Sequence, residues 1–486
     1  MKEPQRWEAE HLSPETVVPG VHSLLEDYLS ASKTGTDKVL QQVPPRQIAE
    51  ALDSADILSQ GFASEEQLLE FIRTYLQHTN HLNNPKYFGH QVAVPHQLSG
   101  IPEWIHGVIN NPSSLYEMGP AGATLEGVMI NYLLQKLDWF TGTDLYDFKL
   151  QSEGGSGFLT HGGSVANLSA LAAARAAIAP EAWNEGHPDD LVVLGPASSH
   201  YSIGRAISLL GLGKKAFVPI PVLANEKMKV DALESIYSEI KNIGKRVMAV
   251  VANACATSTG LYDNLKAIGD FCQKHGLWYH VDGAHGAAAL LSPIHRSKLD
   301  GITQADSVIW DAHKMMRVPA LCTAVLFKKG IHQRSAFQQK GSYVFHENDV
   351  VGMDSMPYTI ECTNSALGTK FFWSFALHGE QGLTRFIDTT FAVTHAFYQL
   401  LQNRPDFHCP FAPESNILCF QYTQMKQHLH QQLALRYALI NKGDVYLTSC
   451  EIQGERYLRV VIMNSRTTLE HCEELLKSIV QTASSL

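Results

Sequence analysis

Lys314 follows His313 just beyond the apolar run Ser307-Val308-Ile309-Trp310, and Asp282 closes an earlier run, Trp278-Tyr279-His280-Val281. A lysine amine attacks an aldehyde only when neutral, and partial burial is expected to lower its pKa toward that state. A carboxylate at a strand end can hold the proton on a pyridine nitrogen, and the small residues after Asp282, Gly283 and Ala284, leave room for a flat ring. An attaching amine and a carboxylate that keeps a ring electron-poor are what pyridoxal phosphate chemistry requires.

Other residues are consistent with that pair. Thr160-His161-Gly162-Gly163-Ser164 leads into the helical run Val165-Ala166-Asn167-Leu168-Ser169. Glycines let a backbone approach an anion, helix-start amides point at it, and Ser164 adds a hydroxyl, which makes a phosphate cup. The same text also serves as an ordinary helix-capping loop. His200 follows the run Leu191-Val192-Val193-Leu194 and could stack on a flat aromatic group, although a single histidine is more often structural. Thr257 lies beyond a further strand, within reach of a ring oxygen, and alone marks only a turn. Asp282 could equally cap a helix. His280, His285 and His313 fit no usual zinc spacing, so no metal is expected. The ordered set of loop, His, Thr, Asp and Lys is more specific than any member.

Those residues need strands to carry them. Leu191–Leu194, Ala216–Ile220, Val247–Val251, Trp278–Val281, Ser307–Trp310 and Ala324–Phe327 are short apolar runs separated by helical patterns, among them Asn264 to Gly276 with its terminal glycine. Strands without polar alternation, interleaved with helices, predict a mostly parallel sheet flanked by helices. The expected organisation is α/β: a helical N-terminal arm at 1–90, a large domain at 91–375 and a small C-terminal α+β domain at 376–486. The aperiodic stretch from Gly341 to Pro357 reads as an active-site lid or a mobile connector.

Composition excludes other classes. A chain of 486 residues exceeds one hydrophobic core. With 38 basic against 48 acidic residues, a net charge of -10 and no basic block, nucleic acid is not an expected partner. The eight cysteines form no CxxC pair, and no segment has the length of about eighteen apolar residues that a membrane span needs. The expectation is a soluble, cytoplasmic protein.

The chain resembles the glutamate decarboxylase family, the group II pyridoxal-phosphate decarboxylases of fold type I, over nearly its full length. The resemblance lies in Asn84-Pro85-Lys86-Tyr87-Phe88-Gly89-His90, Tyr116-Glu117-Met118-Gly119-Pro120, Gly162-Gly163-Ser164, Ser199-His200, His280-Val281-Asp282, Asp311-Ala312-His313-Lys314-Met315-Met316 and Val318-Pro319-Ala320-Leu321-Cys322-Thr323-Ala324. It implies that Lys314 forms a Schiff base with pyridoxal 5'-phosphate, Asp282 pairs with the ring nitrogen and His200 stacks on the ring. Gly163, Ser164 and His313 would hold the phosphate, with Thr257 near the ring oxygen and Ala284 beside the ring.

Tyr343 resembles the loop tyrosine that returns a proton to the α-carbon, with Tyr358 as the alternative. Arg459 matches an arginine near the substrate, although pairing with a neighbouring acid would also explain it. His90 stands where animal glutamate decarboxylases carry glutamine, and Gly89-His90 is closer to bacterial L-2,4-diaminobutyrate decarboxylases. The implied reaction is decarboxylation of an L-amino acid with a short polar side chain: 2,4-diaminobutyrate, or acidic glutamate, aspartate or cysteine sulfinate. Asp311-Ala312 replaces the family's Asn-Pro or Asp-Pro and is expected to alter the turn without touching the amine. A homodimer with sites near the interface is implied. The alternatives are another fold type I enzyme, such as an aminotransferase or carbon-sulfur lyase, and an inactive regulatory paralogue.

Overall fold

A strand buried on both faces needs apolar residues at every position, and that is how the central runs of this chain are used. The computed structural model describes residues 11–148, 153–337, 354–425 and 429–486; Tyr343 lies outside them. Its strands are β1 (Tyr87–Phe88), β2 (Ser156–Thr160), β3 (Leu191–Pro196), β4 (Phe217–Ile220), β5 (Arg246–Asn253), β6 (Trp278–Asp282), β7 (Ser307–Asp311), β8 (Thr323–Phe327), β9 (Phe407–His408), β10 (Ile417–Tyr422), β11 (Tyr446–Ile452) and β12 (Glu455–Val461).

The large sheet runs β2-β8-β7-β6-β5-β3-β4. β4, β3, β5, β6 and β7 are parallel, while β8 and β2 join antiparallel at one side. Side chains alternate between two cores. Val308 and Trp310 pack with Met129 and Leu133 of the helix Pro120–Lys136 and with Phe371, whereas Ile309 packs with Ala166, Ala170 and Leu171 of the helix Gly163–Ile178. All six predicted strands of the large sheet are present. β2 carried no strand signal because Ser156 and Gly157 dilute it; a Cβ on Gly157 would come within 2.5 Å of the Val325 carbonyl oxygen, so close pairing requires the glycine.

Parallel strands deliver the residues beyond their C-terminal ends to one edge. In register, Asp282 lies between Asn253 at the end of β5 and Ile309 in β7. The residues after β3, β5, β6 and β7 therefore emerge together, where open α/β sheets bind ligands.

The smaller sheet runs β1-β11-β12-β10-β9. Leu458 and Val460 enter its core against Leu435, Leu439, Leu475 and Ile479 of two covering helices, Leu429–Lys442 and Leu469–Ala483. Between them, Arg459 must point the other way. β1 belongs to this sheet, so the expected arm at 1–90 ends in a strand paired with β11. The helix Leu367–Gln402 runs across the expected boundary at 375, and non-helical backbone at Gly379 (φ 63°) interrupts it close to that point.

Gly368 lets the helix Leu367–Gln402 touch Pro120–Lys136 backbone to backbone: an added Cβ would lie 2.3 Å from Glu126 N. Gly368→Ala is expected to lower stability by about 1–3 kcal/mol, the order of an overpacked core. Gly204→Ala, on a helix face with open space, should leave stability unchanged or raise it. Denaturant midpoints check both; a Gly368→Ala midpoint equal to the parent's would refute the tight contact.

Candidate active site

The chain turns sharply after β7, and Lys314 Nζ returns to within 2.9 Å of Asp311 Oδ2. Burial pushes the lysine pKa down, but Asp311 at hydrogen-bond distance and Asp282 nearby outweigh it, so the pKa stands above the ordinary lysine value. The expectation of a lowered pKa is therefore reversed, because two carboxylates share the edge with one amine. The contact comes from Asp311, which the family's Asp-Pro form also carries; the departure itself is Ala312. Asp311 has further support: Thr323 Oγ1 donates to its Oδ1 at 2.6 Å, and His313 Nε2 lies 3.7 Å from Oδ2. Burial alone would raise this carboxyl, yet Lys314, His313 and Thr323 together hold it below the usual range.

Asp282 is buried at the end of β6. Its Oδ1 accepts the Ala284 backbone N–H at 3.2 Å and its Oδ2 accepts Asn167 Nδ2 at 3.0 Å. Asn167 also donates to Ser202 Oγ at 2.9 Å. His200 caps the helix Tyr201–Leu209, with Nδ1 2.7 Å from Ser202 Oγ. Burial lowers the His200 pKa; Asp282 and Asp311 pull it up, and Lys314 and Arg205 push it down, which brings this imidazole into the same cluster. Asn167 and Ser202 had no assigned role in the sequence. The available signal was a lone amide on an alanine-rich helix.

The helix Gly163–Ile178 starts beside this cluster. Gly162 has φ 109°, a conformation that favours glycine, and a Cβ on Gly163 would come within 3.2 Å of Asp311 Oδ1. The loop thus lets the backbone pass close to Asp311, and the first-turn amides of the helix have no partners within it. His313 Nδ1 lies 2.8 Å from the Cys322 carbonyl oxygen and 3.2 Å from the Cys322 backbone nitrogen. From below, Glu361 accepts Thr160 Oγ1 and meets His161 Nδ1, each at 2.8 Å.

Arg459 reaches the loop after β5. It donates to the carbonyls of Thr257 at 2.7 Å and Ser258 at 3.1 Å, to Thr448 Oγ1 at 3.1 Å and to Gln91 Oε1 at 3.2 Å. Among the described residues these neutral oxygens, rather than a neighbouring acid, hold the guanidinium. His90 Nε2 lies 3.0 Å from Tyr446 OH. Burial lowers its pKa, and the charges of Arg459 and Arg436 add to that. Tyr358 sits in a half-buried turn at Met356–Tyr358.

A half-buried amine, a strand-end carboxylate, an imidazole and a helix start kept clear by glycine fit what pyridoxal phosphate needs, on a helix-flanked sheet of fold type I. The chain belongs to the pyridoxal-dependent decarboxylase family, whose conserved domain matches residues 46–423. It is 26% identical over 484 residues to cysteine sulfinic acid decarboxylase of Homo sapiens, covering 95% of this chain and 94% of that protein. It is also 26% identical over 474 residues to acidic amino acid decarboxylase GADL1 of Bos taurus, covering 94% and 88%. The crystal structure of mouse CSAD superposes with a TM-score of 0.88 at 25% identity, over 97% of this chain and 99% of that one. Pyridoxal phosphate is the cofactor and amino acid decarboxylation the activity, as the sequence led us to expect.

In the cofactor-free protein, Asp311→Asn removes the charge that holds the Lys314 proton. Covalent labelling of Lys314 by an amine reagent, mapped by mass spectrometry from neutral to alkaline pH, is expected to move to lower pH by about one unit, a tenfold gain in rate below the transition. An unmoved profile would mean that Asp311 does not govern the amine.

Proposed function

We propose that this enzyme decarboxylates an L-amino acid with a short acidic side chain, cysteine sulfinate, aspartate or glutamate, to the amine and carbon dioxide. The observation that carries the substrate class is the sign of charge around His90: both charged groups acting on it among the described residues, Arg459 and Arg436, are guanidiniums. A side-chain carboxylate or sulfinate suits that wall. The ammonium of 2,4-diaminobutyrate would meet it with the wrong sign. The names of the human and bovine relatives agree with the acidic choice.

Pyridoxal phosphate, when bound, supplies an aldehyde for amine exchange and a ring that draws off the electron pair left by carbon dioxide. In this reading Lys314 would hold the cofactor through its amine, with Asp282, His200, Ala284 and Thr257 serving its ring and Gly163, Ser164 and His313 its phosphate. Arg459 and His90 would orient the substrate. Tyr343, outside the described residues, is the proposed proton donor at the substrate α-carbon.

The arm at 1–90, the large domain at 91–375 and the small domain at 376–486 are proposed as the working units. We assign a homodimer from the helix Ile101–Ile109, which presents Trp104 (61% exposed), Ile105, Val108 (74% exposed) and Ile109 on adjoining positions. A cytoplasmic location suits eight unpaired cysteines; no described helix is long and apolar enough to cross a membrane.

Carbon dioxide release by the holoenzyme should be fastest with one of the three acidic amino acids. Arg459→Met should lower kcat/KM by about thirtyfold or more, since losing one partner of a buried charge pair costs about 2–5 kcal/mol. Faster turnover of 2,4-diaminobutyrate would overturn the acidic assignment. The double variant Trp104→Glu, Val108→Glu is expected to halve the mass measured by light scattering; an unchanged mass would move the interface elsewhere.

A further inference from the structure

Below Asp282 the buried polar groups form one connected chain of hydrogen bonds across β6, β7 and the helix Gly163–Ile178. Trp278 Nε1 lies 3.0 Å from Ser307 Oγ, and Ser307 Oγ lies 2.8 Å from His280 Nδ1. His280 Nε2 lies 2.9 Å from Asn167 Oδ1, and Asn167 Nδ2 reaches both Asp282 Oδ2 and Ser202 Oγ. Ser202 Oγ and Ser202 N then meet His200 Nδ1 at 2.7 and 3.3 Å.

The partners restrict where each proton in this chain can sit. An indole N–H only donates, so Ser307 Oγ accepts from Trp278, and its own hydrogen is free to turn to His280 Nδ1 when that nitrogen is bare. Burial, working against Asp282 and a backbone contact with Ser307, pushes the His280 pKa down to about 4, so the ring is neutral at neutral pH and carries its one proton on Nε2. That N–H donates to Asn167 Oδ1. The far end agrees: a carboxylate only accepts, so the NH₂ of Asn167 must be the group turned to Asp282. Its second hydrogen goes to Ser202 Oγ, whose hydroxyl hydrogen then points at His200 Nδ1. His200 receives two donors on that nitrogen and keeps its proton on Nε2.

We infer that Asn167 and His280 are positioning residues: one amide, oriented by His280, fixes the Asp282 carboxylate in place and, through Ser202, keeps the His200 proton on Nε2. This rests on the reading that Asp282 and His200 face the cofactor. Protonating His200 on Nδ1 would set a new N–H against two existing donors. The charged groups around that ring are Asp282, Lys314, Asp311 and Arg205.

Nitrogen-15 NMR of histidine-labelled, cofactor-free protein reports which ring nitrogen carries the proton. Both His280 and His200 are expected to be protonated on Nε2 alone at neutral pH, a result that needs no variant to fold. Ser202→Ala should raise the His200 pKa while leaving the His280 tautomer in place. Asn167→Ser should weaken equilibrium binding of pyridoxal phosphate by about tenfold to a hundredfold, the loss expected for a hydrogen bond to a charged group. A proton on His280 Nδ1, or unchanged cofactor affinity and His200 titration in these variants, would overturn the inference. Asp282→Asn separates the two claims: if it alone weakens cofactor binding, the reading of Asp282 stands and the role of Asn167 falls; if it has no effect, the reading of Asp282 falls first.

Discussion

Bringing the buried carboxylates of Asp282 and Asp311 and the half-buried amine of Lys314 to one edge of the sheet is the constraint on which the rest of this structure depends. An unpaired ion in a protein interior carries a penalty of several kcal/mol, so each of these groups must be met by an opposite charge or a hydrogen-bond donor. Lys314 and Asp311 meet each other. Thr323 reaches Asp311 because β7 and β8 are antiparallel and set Thr323 directly opposite it. Asn167 reaches Asp282 because an alanine-rich helix packs closely on the sheet. The topology of the large domain is thus also the way its buried charges are satisfied.

The same logic joins the two sheets. Leu458 and Val460 fill the smaller core, and the period of a strand turns Arg459 toward the loop after β5, where carbonyl oxygens of Thr257 and Ser258 receive it. His90, just beyond β1, arrives at this seam because β1 is part of the smaller sheet. An N-terminal residue, a loop of the large sheet and a strand of the C-terminal domain therefore meet in a region that none of them could form alone. Its positive character comes from two guanidiniums acting on one imidazole.

Much of the fold was legible before any coordinates. The six central strands were marked by apolar runs, and Gly276 marked a helix end that it does close in the left-handed conformation. β2 was missed because a glycine needed for close pairing erased its pattern, and β1 because two residues carry no period. Lys314, Asp282 and His200 were singled out from residue type beyond strand ends, and the fold brings them close together. Asn167 was not, since an amide in a helix has no signature until Asp282, 115 residues away, lies against it.

Residue types and their order were enough to define the α/β class and the chemistry, because parallel strands bring the residues at their C-terminal ends to one edge regardless of the connecting loops. Only the folded chain decided that Lys314 holds its proton more tightly than an ordinary lysine, that Asp311 touches it, and that guanidiniums face His90. Those outcomes depend on distances between side chains from different strands, and the electrostatic energy that decides them changes inversely with separation and with how far water is excluded.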